Sequence, residues 1–400
     1  MRSVYIIESI RTPRGKAKDS GGLHDINSFE LLDYLYKYLS NAEILDKNKI
    51  DEIILGSVTQ VNDQAGNIAK GSAMFSSFPD HTSGTTLNRF CSSSLDALNF
   101  GYLKIASGQS ENILSGGIEM MSRVPMMSDN ASIWKDRDIS RKSNMFLMGS
   151  GADLIATLKK ITRQEADEVA FNSQKKASHA RKNGYFKSII SIFNKVKNVL
   201  CEKDECIRNN TTLDSLANLE PSFAELGKSG IDELQLKKFP QLREINHIHT
   251  PGNSPAMADA ASITYLSKEK ESSTSKYKAR AKIISMTTVN DDPFLVLSGC
   301  KLATKKLLSE NNLLVSDVDL FEIHEAFAAT IIDAQRELDI PKEKLNVNGG
   351  VIALGHPMGA TGTIMLSTLI DEMERQDLSI GVVSTSGAAG SGTAALIERI

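Results

Sequence analysis

Four hundred residues exceed one ordinary hydrophobic core, so two or three structural units are expected. The chain is 41% hydrophobic and 24% charged, as soluble globular proteins are, and no apolar run reaches membrane-spanning length. A net charge of −3 argues against a nucleic-acid or anionic-membrane surface, and four cysteines are too few for a disulfide framework, so a reducing, cytoplasmic setting is expected. The opening MRSVYIIESIRTPRG lacks the apolar core of a signal peptide, and the ending LIERI is not a peroxisomal address.

In chain order, apolar runs predict a strand at residues 4–7, a turn at 12–15, a helix at 29–39, a strand at 53–58 and a helix at 67–74. This alternation reads as an α/β unit with crossovers. Thr86 and Leu87 end a short apolar piece, and Cys91 follows. Leu95, Leu98, Tyr102 and Ile105 then recur at helical spacing, which puts Cys91 at a helix start beside Ser92, Ser93 and Ser94. Ile113 and Leu114 lead into Gly116-Gly117 and close a first half near residue 120. Beyond it a set of methionines, among them Met126, Met127, Met145 and Met148, reads as adaptable core packing rather than a binding surface. Thr162 and Glu165 form a capping box that opens a helix reaching about Arg181. Residues 200–250 are of mixed charge with weak periodicity, and 267–282 is a charged, serine-rich surface connector. Strand–helix alternation restarts at Ile283, with a helix at 302–308, a strand at 320–323, a helix at 326–338 and a strand at 381–384.

The chemistry concentrates in two stretches. Residues 349–362 read GGVIALGHPMGATG. There 351–354 is long enough for a buried strand, Gly355-His356-Pro357 forces a bend, and 364–370 suits a helix. A histidine on a tight bend beside a helix start suits general-base work, although a packed histidine in a glycine-rich turn is the bland alternative. The other stretch is TTLNRFCSSSLDAL. Free N–H groups and the macrodipole at a helix start favour a thiolate at Cys91, whereas a lone cysteine is more often inert core. Together Cys91 and His356 are a candidate nucleophile–base pair. Cys201, Cys206, His247 and His249 match no compact zinc spacing, so no metal site is expected.

NRFCSSSL resembles the nucleophile segment of thiolases, and GGVIALGHPMGATG, EIHEAFAA from Glu322 and GGIEMMSRVPMM from Gly116 are similar to further motifs of that family. The resemblance runs in order along essentially the whole chain. It implies an α/β thiolase fold, with two similar αβα halves forming a five-layer αβαβα core. Residues 1–120 and 254–279 would form the N-terminal half, 121–253 a loop domain that binds coenzyme A and covers the site, and 280–400 the C-terminal half. It implies Cys91 as nucleophile and His356 as its base. His324, with Glu325 beside it, would support one oxyanion site, directly or through water. The backbone N–H groups of Cys91 and Ala388 would form the other. Met148, Ser254, Ala326 and Phe327 fall where the family contacts substrate. The substrates implied are acetyl-CoA, 3-ketoacyl-CoA and coenzyme A itself, with no resident cofactor, in a homodimer or homotetramer.

Three positions depart from the family pattern. The terminal loop usually carries a second cysteine as acid/base, and here TSGAAGSGTA puts Ser386 there. GNSPA puts Pro255 in the register of a usual serine, with Ser254 one place earlier. Leu147-Met148-Gly149 stands where a His-Met-Gly is usual. Cys300, in an SGC stretch, is a candidate substitute for the missing thiol. The competing readings are a related condensing protein with weak thiolysis and a non-catalytic coenzyme A-binding protein.

Overall fold

The computed structural model describes residues 2–400. The first part of the chain forms strands β1 (Val4–Arg11), β2 (Gly15–Lys16), β3 (Glu52–Gly56), β4 (Ser83–Leu87) and β5 (Asn112–Met120), joined through helices α1 (Ser28–Asn41), α2 (Ile68–Phe75) and α3 (Ser93–Ser107). Asn27 and Glu30 make a capping box that starts α1, and Gly108, at φ 85°, ends α3. From residue 121 the chain leaves the sheet. It forms short helices α4 (Ser132–Lys135) and α5 (Arg137–Lys142), then α6 (Met148–Leu158) and α7 (Arg163–Lys182). A small hairpin of β6 (Ile192–Asn194) and β7 (Val199–Cys201) follows, with α8 (Leu213–Ala217), α9 (Ala224–Leu226) and α10 (Asp232–Lys238) after it. The capping box expected at Thr162 and Glu165 opens α7.

The chain rejoins the sheet with β8 (Ala258–Ser267) and β9 (Ala281–Asn290), so the exposed connector is shorter than the composition indicates. Next come α11 (Gly299–Glu310), β10 (Leu320–Ile323), α12 (Ala328–Leu338), α13 (Val351–Leu354), α14 (Thr361–Gln376), β11 (Ile380–Ser386) and β12 (Ser391–Arg399). The sheet runs β10-β11-β12-β9-β1-β8-β5-β3-β4, with β2 paired to β8. A short antiparallel seam joins its two halves, where Val4, Tyr5 and Ile6 of β1 pair with Ile283, Lys282 and Ala281 of β9.

Three apolar cores divide this sheet into layers. One packs α1 and α2 on the outer face of the first half, through Leu31, Leu35, Ile68 and Ile263. A second packs α11 and α12 on the outer face of the second half, through Leu307, Ile331 and Val382. Between the halves, Leu95 and Leu98 of α3 meet Leu366, Leu369 and Ile370 of α14 and side chains of both half-sheets. The order is helices, sheet, helices, sheet, helices, as expected of the five-layer architecture. All ten residues of β8 are buried, which fits a strand covered on both faces.

Two elements differ from the sequence reading. Residues 351–354 form the helical turn α13 rather than a strand. Gly349 and Gly355 bracket the turn at φ 78° and 98°, and a four-residue apolar run carries no periodicity that separates the two states. A Cβ at Gly350 would sit 2.1 Å from the Glu325 carboxyl carbon, so only glycine fits that N-cap. The glycine-rich terminus also continues into β12, a buried strand between β9 and β11.

Candidate active site

Cys91 sits on an elbow between β4 and α3. Phe90 before it has φ 51°, an uncommon conformation for a bulky residue and one that persists only where neighbours enforce it. Here Asn88 Oδ1 accepts from the Phe90 N–H at 2.8 Å. Ser93 Oγ accepts from the Arg89 N–H at 2.9 Å and donates to the Phe90 carbonyl. The other two serines tie the elbow to the second half. Thr385 Oγ1 lies 3.0 Å from Ser92 Oγ, and the Thr363 N–H donates to Ser94 Oγ at 3.1 Å. The serine run thus serves to fix the elbow.

His356 lies on the bend between α13 and α14. Its N–H donates to the Ala256 carbonyl at 2.7 Å. Its Nε2 stands 3.2 Å from Cys91 Sγ, and its Nδ1 stands 2.7 Å from Thr361 Oγ1. With Nδ1–H donating to Thr361, the Nε2 lone pair faces the thiol. Burial, then the charges of His324 and Arg14, hold His356 well below the ordinary imidazole range. Burial and the charge of Glu119 push the Cys91 thiol up to about 12. The resting pair is therefore thiol and neutral imidazole. The helix start does not make a thiolate as the sequence led one to expect, because desolvation outweighs the few N–H dipoles.

His324 stacks beside this pair, its ring centroid 4.6 Å from that of His356. His324 Nδ1 lies 3.1 Å from the Ser386 carbonyl oxygen. A carbonyl only accepts, so Nδ1 carries the proton and Nε2 presents a lone pair. Burial lowers His324 to about 4, so the ring is neutral, and Nε2 has no protein partner. Among the described residues the backbone N–H groups of Cys91 and Ala388 also donate to no backbone carbonyl. A cavity of about 40 Å³ opens onto Cys91, lined by Phe90, Trp134, Met148, Met358 and Ala388 among others. A groove of about 570 Å³ between α7 and α12 reaches Glu325 but none of Cys91, His324 or His356.

The family models for the thiolase N-terminal domain and the thiolase C-terminal domain match residues 4–229 and 277–399. The chain belongs to the thiolase family. This thiolase is 34% identical, over the full length of both chains, to 3-ketoacyl-CoA thiolases of Serratia proteamaculans and Aliivibrio fischeri. The crystal structure of the Bacillus anthracis acetyl-CoA acetyltransferase superposes with a TM-score of 0.86 at 30% identity, covering 100% of this chain and 99% of that one.

The remaining positions singled out in the thiolase sequence divide by place. Met148 and Ala388 line the cavity at Cys91. Ala326 and Phe327 belong to the apolar cluster that joins the site to the segment after β5, where Phe327 packs edge-on against Phe223 and His249. Ser254 Oγ is buried without a partner. The Glu325 carboxylate, expected beside an oxyanion site, is engaged by three donors of the protein. It accepts from Ser173 Oγ at 2.8 Å, Asn346 Nδ2 at 3.2 Å and the Ile352 N–H at 3.2 Å. It braces the N-terminus of α13, one turn before His356. Ser386 Oγ accepts from the Cys300 N–H at 2.8 Å. Cys300 itself is enclosed, its thiol pushed up to about 11 by burial. His247 and His249 hydrogen-bond Asp153.

Sequence reasoning missed Thr361 and the buried ion cluster of Arg11, Arg14 and Asp204. A hydroxyl at the start of the helix after a histidine bend is the signal for Thr361. Asp204 accepts from Nη1 and Nη2 of Arg11, at 2.7 and 2.9 Å, and from Arg14 Nη1 at 3.1 Å. Two arginines ending an apolar strand, in IRTPR, are the signal for that cluster.

Proposed function

We propose that this thiolase moves acyl groups between Cys91 and coenzyme A, cleaving 3-ketoacyl-CoA or, in reverse, joining two acetyl-CoA molecules. The observation that carries the reading is the 3.2 Å approach of His356 Nε2 to Cys91 Sγ. In the cleavage direction His356 takes the thiol proton as Sγ attacks the keto carbon. The unpaired N–H groups of Cys91 and Ala388 are the donors for the resulting oxyanion, and such donors commonly contribute about 10²–10³ in rate each. The carbon–carbon bond then breaks to give an acyl-Cys91 and the enolate of acetyl-CoA. Protonated His356 donates to the enolate oxygen. His324 presents a lone pair rather than an N–H, so it acts there by holding a water that donates. The proton that His356 took from the thiol then passes, through a water or Ser386, to the enolate carbon, so acetyl-CoA departs and His356 is neutral again. Coenzyme A thiol gives its proton to His356 and attacks the acyl-Cys91, which releases the shortened acyl-CoA and restores the thiol. These steps call for no resident cofactor.

The segment 121–253 serves as the cover and coenzyme A platform, with 1–120 and 254–279 as one half and 280–400 as the other. The partnerless Ser254 hydroxyl supports a contact to the pantetheine arm, and Met148, Ala326 and Phe327 support an apolar acyl wall. A cytoplasmic setting fits the four unpaired cysteines. A non-catalytic reading is not favoured, because nucleophile, base and unpaired donors stand together. The test is a thiolysis assay across short and long 3-ketoacyl-CoAs: turnover supports the reading, and binding without turnover on any chain length contradicts it.

The open edge of the sheet is β4, whose neighbours expose Met74 at 68% and Phe75 at 54%. An unpaired, partly apolar edge is a site for strand pairing with a second copy. Light scattering at micromolar concentration is expected to report a homodimer or homotetramer, and a monomer would count against it.

Ser386 makes proton transfer to the enolate slow. A serine hydroxyl is a far weaker acid than a thiol, whose ordinary pKa is about 8.5. Its oxygen is also engaged by the Cys300 N–H. Ser386→Cys is expected to raise thiolysis by roughly tenfold or more, the low side of an acid–base contribution. A fast parent that the substitution leaves unchanged or slows would show that another group or a water carries the proton.

A further inference from the structure

Glu119, next to the end of β5, is fully buried and has no role in the steps above. Its Oε2 accepts from the Val58 N–H at 3.0 Å and the Gly359 N–H at 2.9 Å. Its Oε1 accepts from the Thr59 N–H at 3.1 Å and from Gln64 Nε2 at 2.7 Å. Gln64 is itself held, because its Oε1 accepts from the Met120 N–H at 2.6 Å. Four N–H donors fill the four lone-pair positions of a carboxylate and leave none for a proton. The group is therefore ionised although burial pushes its carboxyl upward. Among the described residues no cation forms an ion pair with it: Arg123 pairs with Asp63 and Arg89 with Asp96.

These donors come from both halves of the fold. Val58 and Thr59 line the cavity at Cys91. Gly359 lies three residues after His356, and a Cβ there would stand 2.8 Å from Glu119 Oε2 and 3.0 Å from Ser57 Cα. The close approach that glycine permits is thus to this carboxylate.

We propose that Glu119 is a positioning residue that locks the His356 turn of one half onto the cavity wall at Val58 and Thr59 of the other. The proposal rests on the Cys91–His356 reading. It adds a second effect, since the carboxylate is bound to the Val58–Thr59 wall of the cavity at Cys91 and its charge, after burial, holds the thiol up. An unneutralised negative charge beside the thiol keeps it protonated between turnovers, so that the proton moves to His356 only as the substrate is attacked.

The experiment compares Glu119→Gln and Glu119→Asp in the full chain, with folding checked by circular dichroism. Thiolysis kcat and KM are measured, together with the pH dependence of Cys91 alkylation by iodoacetamide. Gln removes the charge and sets an amide N–H₂ against N–H donors; Asp keeps the charge but is one methylene short. Both are expected to lose kcat by roughly tenfold or more, the scale of a slightly misplaced catalytic group, with KM changed far less. Only Glu119→Gln should move the alkylation profile to lower pH, because removing a neighbouring negative charge lowers a thiol pKa. Wild-type kcat in both variants, or an unmoved profile in Glu119→Gln, overturns the proposal. If Glu119→Gln does not fold, the kcat of Glu119→Asp decides: a loss supports the lock and a wild-type value overturns it. Cys91→Ala run alongside separates the two levels, since activity retained there refutes the nucleophile assignment itself rather than the role of Glu119.

Discussion

Cys91→Ala is expected to cut acyl transfer on the order of 10⁴-fold or more, the scale on which enzymes respond to loss of a covalent nucleophile, while coenzyme A binding changes little. The elbow does not depend on the sulfur. Its geometry comes from Asn88, Ser93 and the serine contacts to Thr385 and Thr363, all of which alanine leaves in place. Cys91 is 9% exposed, so the substitution removes one partly accessible atom from a cavity wall rather than from the centre of a core. What remains, on the proposed reading, is an oxyanion site with nothing to attack the carbonyl. Thiolysis rates and calorimetric titration with coenzyme A read the two halves of this prediction. A variant that keeps activity within tenfold of the parent would place the nucleophile elsewhere.

His356→Asn is expected to lower kcat by about 10²–10⁴-fold, the range of a positioned general base. The effect is large because the thiol it serves rests protonated, pushed up to about 12 by burial and by Glu119. A thiolate already formed would need no base, and the substitution would then slow acylation only mildly. The same electrostatics set the pH dependence. His356 works in its neutral form and its pKa is held well below the ordinary value by burial, His324 and Arg14. The base is therefore fully available near neutrality and is lost only as pH falls through that depressed value. The acid limb of kcat/KM in the parent should thus lie below the usual imidazole midpoint of about 6.5. An acid limb near 6.5 or above would mean that the imidazole is solvated or paired with a negative charge.

Much of this was legible in the residues. Apolar spacing marked α1, α3 and α14, the Thr162 box marked the start of α7, and cysteine and histidine on glycine- and serine-rich bends marked the candidate site. These signals are local, and local signals survive folding. The turn at residues 351–354 was not legible, since four apolar residues carry no period and the deciding groups are Gly350 and the distant Glu325. Nor was β12, whose small residues are buried by neighbours that come together only in the folded sheet. The charge state of Cys91 was misjudged for the same reason. The helix start is visible in sequence, but the burial around it and the uncompensated Glu119 carboxylate are tertiary facts.

The most direct test of the central claim is to trap the acyl intermediate. The parent protein is incubated with acetyl-CoA, quenched in acid and digested, and its peptides are weighed by mass spectrometry. An acetyl group on the peptide carrying Cys91, absent from Cys91→Ala and greatly reduced in His356→Asn, is the predicted result. Acetylation on the peptides of Cys201, Cys206 or Cys300 instead, with Cys91 unlabelled, would contradict the account.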